Sequence, residues 1–429
     1  MIKRSRNSLV SLLLSASLIF FASSLFAQKL IIKADRLIDV EQGLSIANPL
    51  VLIDGKVITK IAKQGDFAIP EDYEVLDLSG HTLLPGLIDM HVHLSSEATN
   101  HGYKSLAISQ PRSTIYGVKN ANLTLMAGFT TVRNVGADGY IDVALRDAIN
   151  AGDMPGPRMY VSGPPLGVTG GHCDNNLLPF EYAVKSEGIA DGPWAVRAKV
   201  RQNIKYGADV IKFCATGGVL SKGTKVGVQQ YSQEEMNALV EESALRGLTV
   251  AAHAHGTDGI KAAIKAGVTS VEHASFIDKE GIALAKKNGT YLSMDIYVTE
   301  YILDEGESAG ILQESLDKER TVGGKQRENF KKAVDAGVKM IFGSDAGVYP
   351  HGDNARQFSR MVKFGMTPMQ AIQASTVNAA TALGKQDIIG SISKGKFADI
   401  IAVKGDPIKD ISVLEKVTVV IKEGTIVKH

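Results

Sequence analysis

Eight short apolar runs recur between residues 83 and 347, and stretches with helical periodicity separate them. Each run is almost continuously hydrophobic, as expected for a parallel strand that is buried on both faces. Eight alternating strand and helix units predict an α/β fold, a closed (β/α)8 TIM barrel. An open doubly wound sheet is less well supported, because no G-x-G-x-x-G turn follows the first run. The runs are LLPGLIDMHVH, FTTVRNVG, RMYVSG, ADVIKFCA, LTVAAHAH, VTSVEHA, TYLSMD and KMIFGSDAG.

The two ends of the chain resemble each other and differ from the middle. Both contain short β-rich runs with tight turns, at Gly55-Lys56 and at Glu423-Gly424. Chain termini often lie close together in space. We therefore expect residues 28–82 and 387–429 to form one small β-sandwich domain, and residues 83–386 to form the barrel.

The first residues have the layout of an export signal. Basic residues open the chain, an apolar run extends from Leu9 to Phe26, and small residues precede Gln28. This order predicts a secretory signal peptide over residues 1–27 and a periplasmic or secreted protein, with no stable membrane anchor after processing. The alternative is an uncleaved anchor, for which the apolar run is long enough.

Charge and cysteine content exclude other classes of function. The formal net charge is +1, and no basic patch or RNA-binding motif is present, so we expect no nucleic-acid partner. The partner expected instead is a small-molecule substrate. The sequence leaves open whether the chain forms a homo-oligomer. Cys173 and Cys214 are the only cysteines, too few for a disulfide framework. Because Cys214 lies in an apolar run, we predict a buried thiol and no structural disulfide.

Residue types that bind metal ions stand at the ends of the predicted strands, where barrel enzymes build their active sites. The first strand ends in His91-Val92-His93, and alternation places both imidazoles on one side. A lone strand histidine is usually a hydrogen-bonded core residue. Several at independent strand ends, together with a carboxylate, predict a metal site. The further candidates are Lys212, His253, His273 and Asp345.

At these positions the chain resembles the amidohydrolase superfamily, and in particular its binuclear dipeptidase branch, which is related to imidazolone-hydrolysing enzymes. The resemblance extends over essentially the whole chain after the export signal. It is carried by PGLIDMHVHL at 85–94, VIKFCATGG at 210–218, AAHAHG at 251–256, VEHAS at 271–275 and GSDAG at 343–347.

The resemblance implies a centre of two divalent metal ions, with zinc as the expected metal. One ion would be bound by His91, His93 and Asp345, and the other by His253 and His273.

Lys212 would bridge both ions as a carbamate formed with carbon dioxide, since a bare ammonium cannot ligate a cation. A hydroxide shared by the metals would then attack the amide carbonyl. Asp345 would act as general base and acid.

Finer features of the sequence concern the substrate. His172, in TGGHCD, is expected to contact the substrate carbonyl, and Tyr231, in GVQQYSQEEM, is expected to bind substrate. Each has a structural alternative, because His172 could brace its loop and Tyr231 precedes a helix start. Acidic residues near the predicted barrel mouth could meet a cationic substrate side chain, and these are Asp174, Asp295 and Asp353.

The resulting functional hypothesis is hydrolysis of dipeptides of the type L-Xaa-L-Arg or L-Xaa-L-Lys. Two alternatives within enzymes are an Xaa-Pro dipeptidase (a prolidase) and a hydrolase of cyclic amides or imidazolones. A third alternative is a catalytically silent protein that binds a small ligand. Loss of Lys212 or Asp345 would favour that last alternative, and both residues are present.

We predict that the mature protein begins near Gln28. N-terminal sequencing of protein from the native cell envelope or medium checks this, and a start within a few residues of Gln28 is expected. An intact Met1 in a washed membrane fraction would instead identify the apolar run as an anchor.

Overall fold

The computed structural model describes residues 29–429. The predicted signal peptide, residues 1–27, lies outside the described residues. Within residues 29–429, no helix combines the length and the apolar character needed to cross a bilayer.

The strands fall into a group near each chain end and a group between them. They are β1 (Lys29–Asp39), β2 (Leu44–Ala47), β3 (Pro49–Asp54), β4 (Val57–Lys63), β5 (Glu74–Pro85), β6 (Leu87–Val92), β7 (Phe129–Asn134), β8 (Arg158–Val161), β9 (Val210–Cys214), β10 (Thr249–Ala254), β11 (Ser270–His273), β12 (Tyr291–Ser293), β13 (Met340–Ile341), β14 (Ile400–Lys404), β15 (Val419–Lys422) and β16 (Thr425–Lys428).

The helices lie between the central strands and after them. Several bury one face only; α5, for example, buries Ile260, Ala263 and Ile264. The helices are α1 (Gln110–Met126), α2 (Ile141–Ala151), α3 (Pro193–Lys205), α4 (Gln233–Ala244), α5 (Thr257–Ala266), α6 (Lys279–Asn288), α7 (Val298–Ala309), α8 (Gln313–Asp335), α9 (Arg356–Lys363), α10 (Pro368–Ala374) and α11 (Val377–Ala382).

Strands β6 to β13 form the barrel, and all eight predicted strands are confirmed. β6, β7 and β8 pair in parallel, as do β9 to β13 in chain order. Main-chain hydrogen bonds close the two gaps: Leu166 N–H donates to the Lys212 carbonyl at 2.8 Å, and Asp345 N–H donates to the His91 carbonyl at 2.8 Å. The fold is therefore a closed (β/α)8 barrel.

The two ends of the chain meet in one sheet, as predicted. Its order is β16-β15-β14-β5-β1-β3-β4, with β2 paired to β1, so the C-terminal strand β14 lies beside the N-terminal strand β5. Leu30, Ile53, Ile400 and Ile421 pack within its hydrophobic core. β5 continues to Pro85, a little beyond the expected boundary at residue 82.

A single residue, Gly86, separates β5 of the end domain from β6 of the barrel. A Cβ atom at this position would lie 2.1 Å from Thr130 Oγ1, so only glycine lets the backbone pass so close to β7. Arg158, at the start of β8, pairs with Asp399 at 2.6 Å and with Glu423 at 2.8 Å. These ion pairs hold the end domain against the base of the barrel.

The prediction of two free cysteines was wrong. Cys173 and Cys214 form a disulfide, with their Cα atoms 6.0 Å apart. Cys214 ends β9, and Cys173 lies in the loop that follows β8. A cysteine in a buried strand looks like an inert thiol in the sequence, because only the folded barrel brings the loop against it.

We expect this disulfide to stabilise the fold. It closes a loop with a sequence separation of 41 residues, for which chain entropy gives about 4 kcal/mol. Unreduced, denatured protein should show no free thiol, and reduction should lower the denaturation midpoint. The double variant Cys173→Ser, Cys214→Ser is the control and should be insensitive to reductant. Two titratable thiols in protein purified without reductant would contradict the pairing.

Candidate active site

A cavity of about 230 Å³ lies at the C-terminal ends of the barrel strands. All the metal ligands predicted from the sequence line it, and none is displaced to another part of the fold. They are His91, His93, Lys212, His253, His273 and Asp345.

The first group of candidate ligands is centred on Asp345. Its Oδ1 lies 3.2 Å from His91 Nε2 and 3.4 Å from His93 Nε2. His273 joins His91 and Asp345, with ligand atoms within 4.8 Å of one another. Asp345 and His273 both have left-handed backbone conformations, with φ of 59° and 68°. Non-glycine residues rarely adopt such angles, and their occurrence at ligand positions is typical of a functional site.

The second group comprises His253, His255 and His273, whose ligand atoms also lie within 4.8 Å of one another. Among residues 29–429, His253 Nε2 is buried and lacks a hydrogen-bond partner. A buried ring nitrogen without a partner is costly, and a metal ion would satisfy it. His255 was not assigned as a ligand from the sequence; its Nδ1 is hydrogen-bonded to Ser275 Oγ at 2.8 Å.

Two buried carboxylates orient the imidazoles. Glu272 Oε2 lies 3.2 Å from His91 Nδ1, and Asp295 Oδ2 lies 2.9 Å from His273 Nδ1. Each pairing leaves Nε2 as the ring nitrogen that faces the cavity, the arrangement common around metal-binding histidines. Arg133 Nη2 in turn donates to Glu272 Oε1 at 2.7 Å. Glu272 was not predicted from the sequence, although an acid inside an apolar strand was the available signal.

Burial and neighbouring charges together set the protonation of the candidate ligands. Burial lowers the pKa of Lys212 to about 8, although the negative charges of Glu272 and Asp345 act to raise it. Burial and neighbouring histidines hold the pKa of His253 well below its usual range, so its imidazole is neutral and able to ligate. Burial opposes ionisation of Asp345, but His91 and His93 hold the pKa of its carboxyl well below the usual range. The neutral imidazole of His253 and the carboxylate of Asp345 are therefore suited to divalent cations.

His172, the residue expected to contact the substrate carbonyl, also lines this cavity. Its ring stacks on that of His253 with centroids 4.1 Å apart, and its Nδ1 is hydrogen-bonded to Ser221 Oγ at 2.8 Å. Burial lowers the pKa of His172 to about 3, so the ring is neutral. The adjacent Cys173 is tied to β9 by the disulfide, which fixes the His172 loop over the strand that carries Lys212.

Tyr231 lies in the core rather than on the cavity wall. Its side chain is 1% exposed, its hydroxyl donates to the Ala190 carbonyl at 3.0 Å, and its ring packs beside Phe213. The next residue, Ser232, caps α4 in a capping box with Glu235. Tyr231 therefore occupies the position described by the structural alternative, that of a residue just before a helix start.

Comparison with known proteins agrees with this geometry. Residues 82–427 match the Amidohydrolase family. The chain belongs to the amidohydrolase family. This family is metal-dependent, and the histidine clusters of the present amidohydrolase could hold a metal ion.

Individual relatives narrow the type of amidohydrolase. Ochratoxinase of Aspergillus niger is 35% identical, in an alignment that covers 99% of this chain and 92% of that protein. The crystal structure of a Xaa-Pro dipeptidase with methionine bound in its active site is 41% identical, with a TM-score of 0.89 over 94% of this chain and 100% of the other. A prolidase complexed with N-methylphosphonate-L-proline is 29% identical, with a TM-score of 0.86 over 94% and 100% of the two chains. This amidohydrolase is therefore a hydrolase of amide bonds with dipeptidase-like and prolidase-like neighbours.

Proposed function

We propose that this amidohydrolase is a dipeptidase that depends on two divalent metal ions. The observation that carries the proposal is the convergence of six ligand-type residues on a cavity of about 230 Å³. A cavity of this size suits a small substrate. The dipeptidase named among the relatives, with an amino acid in its active site, supports a substrate with one peptide bond.

The donor set fits two ions better than one, because it exceeds what one tetrahedral site can use. His91, His93 and Asp345 would hold one ion, and His253 and His273 the other. We propose zinc, since imidazole and carboxylate ligands suit it.

We also propose that Lys212 is carbamylated. Its buried amine stands among metal ligands, where an ammonium would repel the ions. Addition of the neutral amine to carbon dioxide, with loss of one proton, converts it into an anionic carboxylate donor. The carbamate would then be a ligand shared by both ions.

The protein side chains supply the proton transfers. When bound, the metal ions polarise the amide carbonyl and lower the pKa of water. Asp345 accepts the proton of the attacking water and passes it to the leaving amine nitrogen. We propose that His172, which is neutral and lies on the cavity wall, donates a hydrogen bond to the carbonyl oxygen. We assign catalytic roles to Asp345 and His172 on this basis.

The preferred C-terminal residue has two candidates. We propose Arg or Lys, as the sequence motifs suggest. Xaa-Pro is the second candidate, favoured by the two relatives described as a Xaa-Pro dipeptidase and a prolidase.

The acids first considered for a cationic side chain are engaged elsewhere. Asp174 accepts hydrogen bonds from three loop N–H groups, Asp295 holds His273, and Asp353 pairs with Arg356. A preference for Arg or Lys therefore needs another carboxylate.

Replacing Lys212 with Ala should remove metal and activity together, because the donor common to both ions is lost. A short carboxylic acid such as propionate should restore part of both. Metal content and dipeptide turnover are the measurements. Lys331→Ala, at an exposed lysine paired with Asp335 on α8, is the matched control and should change neither. A Lys212→Ala protein with full metal content and full turnover would contradict the proposal.

A dipeptide library that varies only the C-terminal residue tests the function itself. Metal-loaded protein should release the free C-terminal amino acid, with kcat/KM for Arg and Lys at least about tenfold above neutral residues. A preference for proline would establish the second candidate. Turnover of cyclic amides with none of dipeptides would overturn the dipeptidase assignment.

A further inference from the structure

The helical hairpin of α7 and α8 forms one wall of the active-site cavity. This wall carries a carboxyl group, Glu319, that the chemistry above does not use. Of the acids that line the cavity, Asp345 is a metal-ligand candidate and Asp295 holds His273. Glu319 is therefore the lining carboxyl to which the proposed chemistry assigns no role.

The hairpin wall around Glu319 is mainly apolar, with Gln326 as the other polar residue that it contributes to the cavity. Val298, Ile302 and Val322 line the same wall, and the Glu319 residue is 3% exposed. Within residues 29–429, its carboxyl accepts one hydrogen bond, from Thr299 Oγ1 at 2.6 Å, and pairs with no Lys, Arg or His side chain. Burial raises the pKa of Glu319 to about 7. This burial outweighs the partial compensation that the Arg327 charge gives, so a ligand that brings a positive charge next to this carboxylate would stabilise it.

The shape and polarity of this wall match a long cationic side chain. Arg and Lys have an aliphatic stem that packs on apolar surface and a charged end that needs a carboxylate. Val298, Ile302 and Val322 offer the apolar surface, and Glu319 offers the carboxylate on the same wall. The candidate metal ligands lie at the ends of the barrel strands, and the hairpin wall carries none of them.

We infer that Glu319 is the specificity residue that binds the terminal cation of an Arg or Lys side chain in the substrate. This inference rests on the proposed dipeptidase function, and it names the acid that Asp174, Asp295 and Asp353 do not provide. The substrate α-ammonium is another possible source of the same cation. The experiment distinguishes the two sources.

The test compares L-Ala-L-Arg with L-Ala-L-citrulline, which has nearly the same shape but no charge. In metal-loaded wild-type protein, kcat/KM should favour the Arg substrate. In Glu319→Gln this ratio should fall by about 10- to 100-fold, the loss expected for a charged hydrogen bond in a desolvated site. Turnover of the citrulline substrate and metal content should change little. Glu328→Gln, at an exposed acid on the same helix, is the matched control and should keep the wild-type ratio.

Binding of the free amino acids gives a readout that does not need turnover. Calorimetry should show L-arginine binding more tightly than L-citrulline to wild-type protein, and Glu319→Gln should lose this difference. If Glu319 dependence persists in binding while no dipeptide is hydrolysed, the proposed function fails and the assignment of Glu319 as the residue that binds a side-chain cation stands. If dipeptides are hydrolysed and Glu319→Gln leaves the Arg-to-citrulline ratio unchanged, the inference fails and the function stands.

The N-acetylated dipeptides separate the two sources of the cation. A Glu319→Gln defect that is equal for all C-terminal residues, and that disappears with N-acetyl substrates, would assign Glu319 to the α-ammonium and overturn the side-chain assignment. A defect that persists with N-acetyl-L-Ala-L-Arg supports it. Thermal midpoints of the variants, compared with wild type, show whether any loss reflects unfolding.

Discussion

Main-chain pairing between parallel strands is the constraint on which the active site depends. Lys212, His253 and His273 lie on neighbouring strands, and the registers that pair Ala251 with Lys212 and Ala254 with His273 bring their side chains to one end of the barrel. The hydrogen bond from Asp345 N–H to the His91 carbonyl, at 2.8 Å, joins the last strand segment to the first. A metal site built from residues of both the first and the last barrel strand, such as His91 and Asp345, requires the barrel to be closed in this way.

Strand pairing alone would not orient the rings. Glu272 holds His91, and Arg133 holds Glu272, so a buried network fixes the ring from behind. Such networks contribute little net stability, because burying charges costs about as much as their pairing gains. Their benefit here is geometric: Nε2 is left facing the cavity. The left-handed backbone of His273 and Asp345 also serves geometry rather than stability. Such a conformation is strained for a non-glycine residue, and it occurs here where candidate ligands converge.

The barrel could be predicted because the periodicity of the chain carries that information. The candidate metal ligands could be proposed because they stand at the predicted strand ends, where the chain also resembles the amidohydrolase superfamily. Near-continuous apolar runs identified the eight strands, and alternation placed His91 and His93 on one side. Features that depend on contacts between distant segments of the chain could not be predicted from periodicity or strand-end positions. The Cys173–Cys214 disulfide needs a loop to fold onto β9. Tyr231 lies within the motif GVQQYSQEEM, yet its hydroxyl donates a hydrogen bond to a main-chain carbonyl in the core. Glu319 looks like an ordinary charge on a helix until the hairpin folds over the cavity.

Elemental analysis of protein purified without chelators, combined with turnover, tests the binuclear account most directly. The account predicts two divalent ions per chain, loss of activity when a chelator removes them, and recovery when they are restored. Binding that stays at one ion per chain with full activity, or full activity after complete metal removal, would contradict it.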